Sequence, residues 1–455
     1  MSHATPMQEF GPVAGLLVKA FGGATPARWL VRAPGRINLI GEHTDYNGFP
    51  VMPMAIGRAI RMAVAPRDDG RVCLVNCAPE LYPDRSFLVS EDLPPFEPGD
   101  WGNYAKAAVQ SLARLAVWTG REAQALRGMS CAVDGDIPPA AGLSSSTALV
   151  VATGLAFAAV NELGLSGRAL AERLAEAEHY VGTQGGGMDQ AVCLLGRRDH
   201  ALKIDFYPLA ARPIPFAPTH GILAAHSTLS ARKTGQQRLA YNRRVVECRV
   251  GAHLLARRLG AEPTPRLADL GRARPDEDLT GILHEVTGGE RALSLTGCSQ
   301  LCGVSTDEFT DRFLRLGAGG SLPMPADGLK VLPRCRHVFT EAGRVERAAE
   351  CLAAGDMAAL GCLMDESHQS CAEDYEISCP ELDELVGLMR GAGALGARLT
   401  GAGFGGFAIG LVRREDADEV RAALSERFYE PRGEAGDESA FLFRPAPGAF
   451  VQKVD

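Results

Sequence analysis

No stretch of the 455-residue chain is long and apolar enough to span a membrane, and the first thirty residues lack a basic-then-apolar signal pattern. Positive charge is not in excess either. Lys and Arg number 47 against 55 Asp and Glu, a net charge of −8, so no global basic field is present to collect nucleic acid. Paired C-x2-C spacing is missing from the twelve cysteines, although Cys73/Cys77 and Cys298/Cys302 have C-x3-C spacing. Scattered cysteines of this kind read as reduced, buried thiols, and the expectation is a cytoplasmic protein without a zinc site. Low-complexity tracts and internal repeats are absent as well. Membrane, nucleic-acid and disulfide-scaffold functions are thereby set aside. An acidic chain that binds an anion must make its positive potential locally, from helix ends, a metal ion and a few Arg or Lys.

What remains is the composition of a globular enzyme, 46% hydrophobic and 22% charged. The length favours two domains. Prolines interrupt regular structure at "LAARPIPFAP", which puts the boundary near 212 and divides the chain into 1–212 and 213–455. Hydrophobic periodicity predicts a leading helix in "MQEFGPVAGLLVKAFG", a strand in "WLVRAPGRINLIG", and short strands in "AIRMAVAP", "RVCLVN" and "MSCAVDGDIP". Residues 101–119 and 168–181 read as helices, and "TALVVATGLAFAAVNELG" as a helix buried on most faces. In the second half the expectation is a strand at "GILAAHS", a long helix over 236–259 and a Pro- and charge-rich connection over 262–278. Three helices between 333 and 391 and a Gly-rich strand region over 396–412 complete the reading. The mixture predicts an α+β protein.

Four stretches carry the chemistry. "GRINLIGEHTDYNGF" crowds Arg36, Glu42, His43 and Asp45 between Gly35, Gly41 and Gly48, beside an apolar run. It is either a polar turn between strands or a grip for something rich in hydroxyls. "PPAAGLSSSTALVVA" places Ser144, Ser145 and Ser146 at the start of a helix, after a small-residue turn. The N–H groups of a first helical turn lack intrahelical acceptors, and the dipole favours an anion there. Walker A would need a lysine before the Ser, and none is present. Taken alone, the run also reads as an N-cap. "AEHYVGTQGGGMDQA" separates Glu178 from Asp189 by a glycine-rich loop, so that one acid can ligate Mg2+ and the other accept a proton. A turn with a solvated Asp fits that stretch equally well. "RLTGAGFGGFAIGLV" is a tight glycine turn before a buried strand, a weak signal by itself.

Their order and spacing resemble the galactokinase branch of the GHMP small-molecule kinase superfamily. "GRINLIGEHTDYNGF" is similar to the galactokinase signature, "PPAAGLSSSTA" to the superfamily's phosphate loop and "LTGAGFGGFAIGLV" to its third motif. "WGNYAKA", "EHYVGTQGGGMDQ" and "SHQSCAEDYEISCPELDEL" match the same branch. The resemblance runs from about residue 25 to the C-terminus and is weakest over 262–330. It implies a two-domain GHMP kinase fold, with the active site in the cleft between the domains. It also implies a monomer that uses ATP and Mg2+ to phosphorylate the C1 hydroxyl of a sugar. On that pattern Arg36 and Asp189 are catalytic, and Glu42, His43, Asp45, Gly186 and Tyr241 hold the sugar. Trp101, Gly142, Leu143, Ser144, Ser145 and Ser146 meet the nucleotide, with Ser146 and Glu178 as metal ligands. Trp101 reads equally well as a core aromatic.

Galactose is the expected acceptor. The main rival is N-acetylgalactosamine, whose kinases the stretches 129–150 and 367–385 resemble at least as well. Those kinases carry Phe where "LAYNRRVVEC" has Tyr241, which favours galactose. A further rival is a sugar-and-ATP sensor without turnover. Such paralogues depart from the family inside the phosphate loop, and here Gly142 to Ala148 is uninterrupted.

Overall fold

The structure is a computed structural model, and it describes residues 6–22, 26–138, 142–182, 185–229, 235–262, 266–315, 321–434 and 439–454. Three expected features fall partly outside those residues: 139–141 of the phosphate loop, 183–184 of the glycine-rich loop and 263–265 of the connection over 262–278.

Alternating and continuous apolar runs build a first sheet of six strands. β1 (Trp29–Asn38), β2 (Pro53–Arg67), β3 (Arg71–Asn76), β4 (Arg85–Leu88) and β5 (Gly128–Gly135) come from the first half. The order across the sheet is β12-β1-β2-β5-β3-β4, antiparallel except where β3 runs parallel to β5. The register of β1 on β2 shifts between Pro34 and Arg36, a bulge that turns the end of β1 toward the functional loops. α1 (Pro6–Phe21) packs Phe10, Val13 and Leu17 against one face of the sheet. On the other face lie α2 (Gly102–Trp118), α3 (Ser145–Val160), α4 (Gly167–Ala177) and α5 (Met188–Leu195). α3 is apolar almost all round, and Val150, Val151, Ala152, Ala156 and Phe157 have no exposed surface. Burial on all sides fixes where its N-terminus points.

A hairpin of β6 (His200–Asp205) and β7 (Ala210–Pro215) then leads to β8 (His220–His226). α6 (Gly235–Leu259) is followed by the short helices α7 (Leu267–Ala273), α8 (Leu279–Thr287), α9 (Leu295–Cys302) and α10 (Thr306–Phe309). α11 (Val331–Ala354), α12 (Met357–Glu373) and α13 (Pro380–Gly391) come next. β9 (Gly396–Thr400) and β10 (Phe407–Arg413) follow, then α14 (Ala417–Leu424), β11 (Ala440–Phe443) and β12 (Phe450–Lys453). The second sheet, β11-β8-β10-β9, is antiparallel and carries its own core. Two domains therefore form, of mixed α+β content.

The structure departs from the sequence reading in particular places. Residue 212 lies within β7, and β12 carries the end of the chain back to the edge of the first sheet beside β1. The connection at 262–278 contains α7, whose Leu267 and Leu270 are buried, and the helix expected over 168–181 ends at Ala177 in a 3-10 turn, Glu178–Val181. β4, β6, β7, β11 and β12 are short or proline-bearing strands without strong alternation.

The domains meet through buried charge. Arg398 in β9 has no exposed surface, and its guanidinium donates to Glu42, which follows β1 and is also buried. Glu42 accepts further bonds from Asn38 Nδ2 (2.9 Å) and the Gly401 N–H (2.8 Å). Next to this pair, Glu341 of α11 accepts the Gly41 N–H (2.8 Å) and the Arg344 Nε–H (2.6 Å), and Ser367 donates to it. Burial alone would raise the Glu341 carboxyl, but Arg344, His337 and Arg398 outweigh it and hold the group down at about 2. A depressed carboxyl stabilises the fold above its ordinary value of 4.5, and that contribution disappears as pH falls through about 2. Glu341→Gln is therefore expected to lower unfolding stability at pH 7. In paired denaturant titrations the gap to the parent protein should narrow steadily as pH falls below 4.5. A gap that stays constant with pH would show that the charge is not the stabilising feature.

Candidate active site

β1 delivers the first element of the site. Arg36 stands near its end, 6% exposed, and its backbone N–H donates to the Leu143 carbonyl of the phosphate loop at 3.2 Å. A side chain at Gly35 would bring its Cβ to 2.7 Å from that same carbonyl, so glycine permits the approach. The guanidinium grips Asp189 with both arms, Nε to Oδ1 at 2.7 Å and Nη2 to Oδ2 at 2.9 Å, while Nη1 donates to the Gly142 carbonyl at 2.5 Å. This planar fork-on-carboxylate arrangement fixes orientation as well as charge.

Asp189 lies in the first turn of α5, where the helix dipole favours a negative charge. Ser144 donates its hydroxyl to Asp189 Oδ2. Ser144 itself is left-handed (φ 60°) and caps α3, whose first intrahelical bond runs from the Ala148 N–H to the Ser144 carbonyl. The N–H groups ahead of Ala148 have no acceptor within the helix. Ser145 and Ser146 flank them on the cleft. Behind the loop Leu143 is fully buried, and a Cβ on Gly401 of the third motif would lie 2.9 Å from the Gly142 carbonyl. The glycine turn of the second domain thus closes directly on the phosphate loop.

Glu178 is buried at the end of α4 and accepts the Thr147 hydroxyl at 2.5 Å. Tyr104 of α2 is close to both this acid and Ser146: burial and then the Glu178 charge raise its phenol, and the Ser146 hydroxyl bonds to it. Ser146 and Glu178 are therefore neighbours, and hydroxyl with carboxylate oxygen is the hard donor set that Mg2+ takes together with phosphate oxygens. Among the described residues there is no group of three or more His, Cys, Asp and Glu side chains able to hold a metal without such help.

At the opposite end, Asp45 accepts the N–H groups of Gly186 (3.2 Å) and Met188 (3.5 Å). Burial and the nearby Asp189 charge raise its carboxyl to about 6. Gly186 passes so close that a Cβ would lie 2.2 Å from the Tyr46 nitrogen. His43 is left-handed (φ 62°), with Nδ1 2.9 Å from the Tyr46 hydroxyl and Nε2 3.2 Å from the Ala402 carbonyl. Burial lowers its imidazole to about 3, so the ring is neutral. Tyr241 of α6 packs on it, ring centroids 5.1 Å apart, and burial and then the Asp45 and Asp189 charges raise the Tyr241 phenol.

These residues share one cleft of ≈ 420 Å³ between the domains. Arg36, Glu42, His43, Asp45, Gly142, the three serines, Glu178, Gly186, Asp189 and Tyr241 all line it. Trp101 does so too, yet it is 8% exposed, donates its indole N–H to the Pro83 carbonyl at 2.9 Å and meets Tyr82 edge-on. It is a core aromatic and a cleft wall at once. Glu42 also reaches the lining, but its carboxylate is engaged by Arg398, Asn38 and Gly401. The sequence reading did not single out Arg398, Thr147, Tyr104, Tyr46 or Tyr375. A charged residue inside the apolar strand "ARLTG" was the one available signal for Arg398.

Known proteins resemble the chain over most of its length. The galactokinase galactose-binding signature matches residues 17–66, the GHMP kinase N-terminal domain residues 103–197 and the GHMP kinase C-terminal domain residues 348–430. A galactokinase of Chloroflexus aggregans is 37% identical over 406 residues, 88% of each chain, and that of Saccharomyces cerevisiae is 32% identical over 96% of this chain and 94% of its own. The crystal structure of Lactococcus lactis galactokinase complexed with galactose superposes with a TM-score of 0.74 at 26% identity, covering 97% of this chain and 99% of that one. A mevalonate kinase from L. major shares the fold at a TM-score of 0.54 and 15% identity, over 91% of this chain and 95% of its own. With a signature, both domains and relatives above 30% identity across most of its length, the chain belongs to the galactokinase family of the GHMP kinases.

Proposed function

We propose that this cleft transfers the γ-phosphoryl group of ATP to the C1 hydroxyl of galactose, giving α-D-galactose 1-phosphate and ADP. The observation that carries the reading is the two-armed Arg36–Asp189 pair set beside the N-terminus of α3. An anomeric hydroxyl is more acidic than an ordinary alcohol, yet mostly neutral at pH 7. Asp189 accepts its proton as the oxygen attacks the γ-phosphorus and the bond to the leaving ADP breaks. Arg36 holds Asp189 in place with both arms and stabilises the charge that spreads over the transferring group. The α3 N-terminus and its serines receive the phosphates, with Gly142 and Leu143 setting the loop and Trp101 walling the nucleotide end. Ser146 and Glu178 would hold Mg2+, which when bound neutralises nucleotide oxygens.

Asp45, Gly186 and Tyr241 hold the sugar, with His43 as a neutral wall behind them. Orientation of the C4 hydroxyl decides between galactose and glucose, because a misdirected hydroxyl leaves a buried carboxylate unpaired at about 1–3 kcal/mol. The Tyr241 ring supplies bulk against an acetamido group at C2. ADP release measured with galactose, N-acetylgalactosamine, galactosamine, glucose and galacturonate should rank galactose first in kcat/KM. A higher value for N-acetylgalactosamine would transfer the assignment to that sugar, and no ADP release with any of them would point to a sensor.

Asp189→Asn should lower kcat by about 10²–10⁴-fold while sugar binding persists. Arg36→Lys keeps the charge but loses the fork, and a large fall in kcat is expected there too. Near-normal turnover in either variant would remove that residue from the chemistry.

The raised Asp45 carboxyl gives a pH signature. Its ionised form accepts sugar hydroxyls, so galactose binding by calorimetry should tighten as pH rises through about 6 and level off above it. Asp45→Asn should bind weakly without that step; a step retained in the variant would assign it to another group.

Glu178→Gln removes a formal charge from the proposed metal shell, and Ser146→Ala a neutral oxygen. Mg2+ titrations of activity should shift to higher concentration in both, further for Glu178→Gln. Unchanged titrations would place the metal elsewhere.

A further inference from the structure

Behind the sugar end of the cleft lies a line of buried hydrogen-bonding groups that no step of the reaction uses. Tyr375, just past α12 in the stretch "SHQSCAEDYEISCPELDEL", has no exposed surface, and its hydroxyl is 2.6 Å from that of Tyr46. On its other side it is 3.3 Å from Cys248 Sγ of α6, which in turn is hydrogen-bonded by Cys335 of α11. Tyr46 then meets His43 Nδ1 at 2.9 Å, and His43 Nε2 meets the Ala402 carbonyl at 3.2 Å.

One acceptor-only group at the end of this line sets the direction of every bond in it. A carbonyl oxygen cannot donate, so His43 Nε2 must carry the proton that faces Ala402. The ring is neutral, so Nδ1 is the acceptor and Tyr46 must donate to it. Tyr46 is then left only an acceptor lone pair for Tyr375, which donates. Cys248 follows by donating its S–H to Tyr375. The opposite tautomer would set the Nε2 lone pair against the carbonyl lone pairs and reverse each bond behind it.

We propose that Tyr375 is a positioning residue for the sugar site: acting through Tyr46, it reinforces the Nε2–H tautomer that the Ala402 carbonyl favours and fixes the ring as the wall on which Tyr241 packs. Independent support comes from the backbone. His43 occupies a left-handed conformation that non-glycine residues seldom adopt, so something must hold it there. Its ring packs against Tyr375 as well as Tyr241, centroids 4.9 and 5.1 Å away. Tyr375 is itself anchored, its carbonyl accepting Arg244 Nε–H at 2.7 Å. The line therefore ties the signature loop of the first domain to α6, α11, the segment after α12 and the third motif. Bonds aligned in one direction polarise one another, so losing an inner link weakens those on either side.

The inference rests on the galactose reading, but its first test does not need a substrate. In 15N NMR of the full chain at pH 7, with His43→Gln used to assign the signal, His43 should show a neutral ring protonated at Nε2. A ring protonated at Nδ1, or at both nitrogens, overturns the proposal. Tyr375→Phe keeps the ring and removes the donor. It should raise the galactose KM about 3- to 10-fold, the size of one buried hydrogen bond, with kcat and the ATP KM within about twofold. The same variant should show a second His43 tautomer. An unchanged galactose KM or an unchanged His43 spectrum overturns the proposal. If Tyr375→Phe fails to fold, Tyr46→Phe carries the same expectation. The double variant should be no worse than Tyr46→Phe alone, and additive losses would also overturn it. A parent enzyme that releases no ADP with galactose, yet shows the Nε2–H tautomer, would refute the substrate and leave the line intact.

Discussion

Arg398 and Glu42 form the contact on which the cleft depends. Both side chains are buried, and removing two charges from water costs several kcal/mol per ion before their attraction and added hydrogen bonds offset it. Burial raises Glu42 while Arg398 draws it back; burial works against the Arg398 charge too, yet the Glu42 and Glu341 carboxylates hold it charged. Such a pair is weak evidence for stability and stronger evidence for geometry. Glu42 accepts from Arg398, Asn38 and the Gly401 N–H together, so the end of β1, the loop after it and the third motif share one anchor. His337 adds a bond to the Glu42 carbonyl at 3.1 Å, and Asn38 exchanges bonds with Thr400 at 3.0 and 3.1 Å. Moving any of these would shift Arg36, two residues before Asn38, relative to the phosphate loop.

The second constraint is electrostatic. A chain with a net charge of −8 is proposed to receive a polyanion, and it concentrates its positive potential rather than spreading it. The N-terminus of α3 and the guanidinium of Arg36 converge within the cleft, Arg36 being linked to the Gly142 carbonyl and to Asp189. The chain has no Walker lysine, and the cation in the cleft is Arg36 of β1, where Gly35 permits the strand to approach the phosphate loop closely. The two acids have different surroundings. Asp45 is raised by burial and by Asp189, whereas Asp189 faces Arg36 with both oxygens. In the proposed reaction one carboxyl recognises a sugar hydroxyl and the other takes the reacting proton.

Much of this was legible in the sequence because glycine spacing and residue type are local. Gly35, Gly142 and Gly186 mark close backbone approaches, and the apolar run after Ser146 marks a helix whose burial aims its N-terminus. The reading could not tell a cleft-lining Trp101 from a core one, and the structure shows that the ring is both. Partners distant in sequence stayed hidden. Arg398 lies 356 residues from Glu42 and Tyr375 lies 329 from Tyr46, and periodicity carries no information about such pairings. The hairpin β6–β7 escaped because its proline-bearing second strand breaks alternation, and α7 because a short helix flanked by charge reads as a loop. The return of β12 to the first sheet is a property of the whole fold rather than of any segment.

The proposed reaction turns on where the phosphoryl group arrives. A 1H–31P correlation spectrum of the product formed from galactose and MgATP addresses this directly. Transfer to the hydroxyl facing Asp189 and Arg36 predicts a sugar phosphorus coupled to H1 of the α-anomer, with one equivalent of ADP. Coupling to H6, or ADP formed without any sugar phosphate, would contradict it.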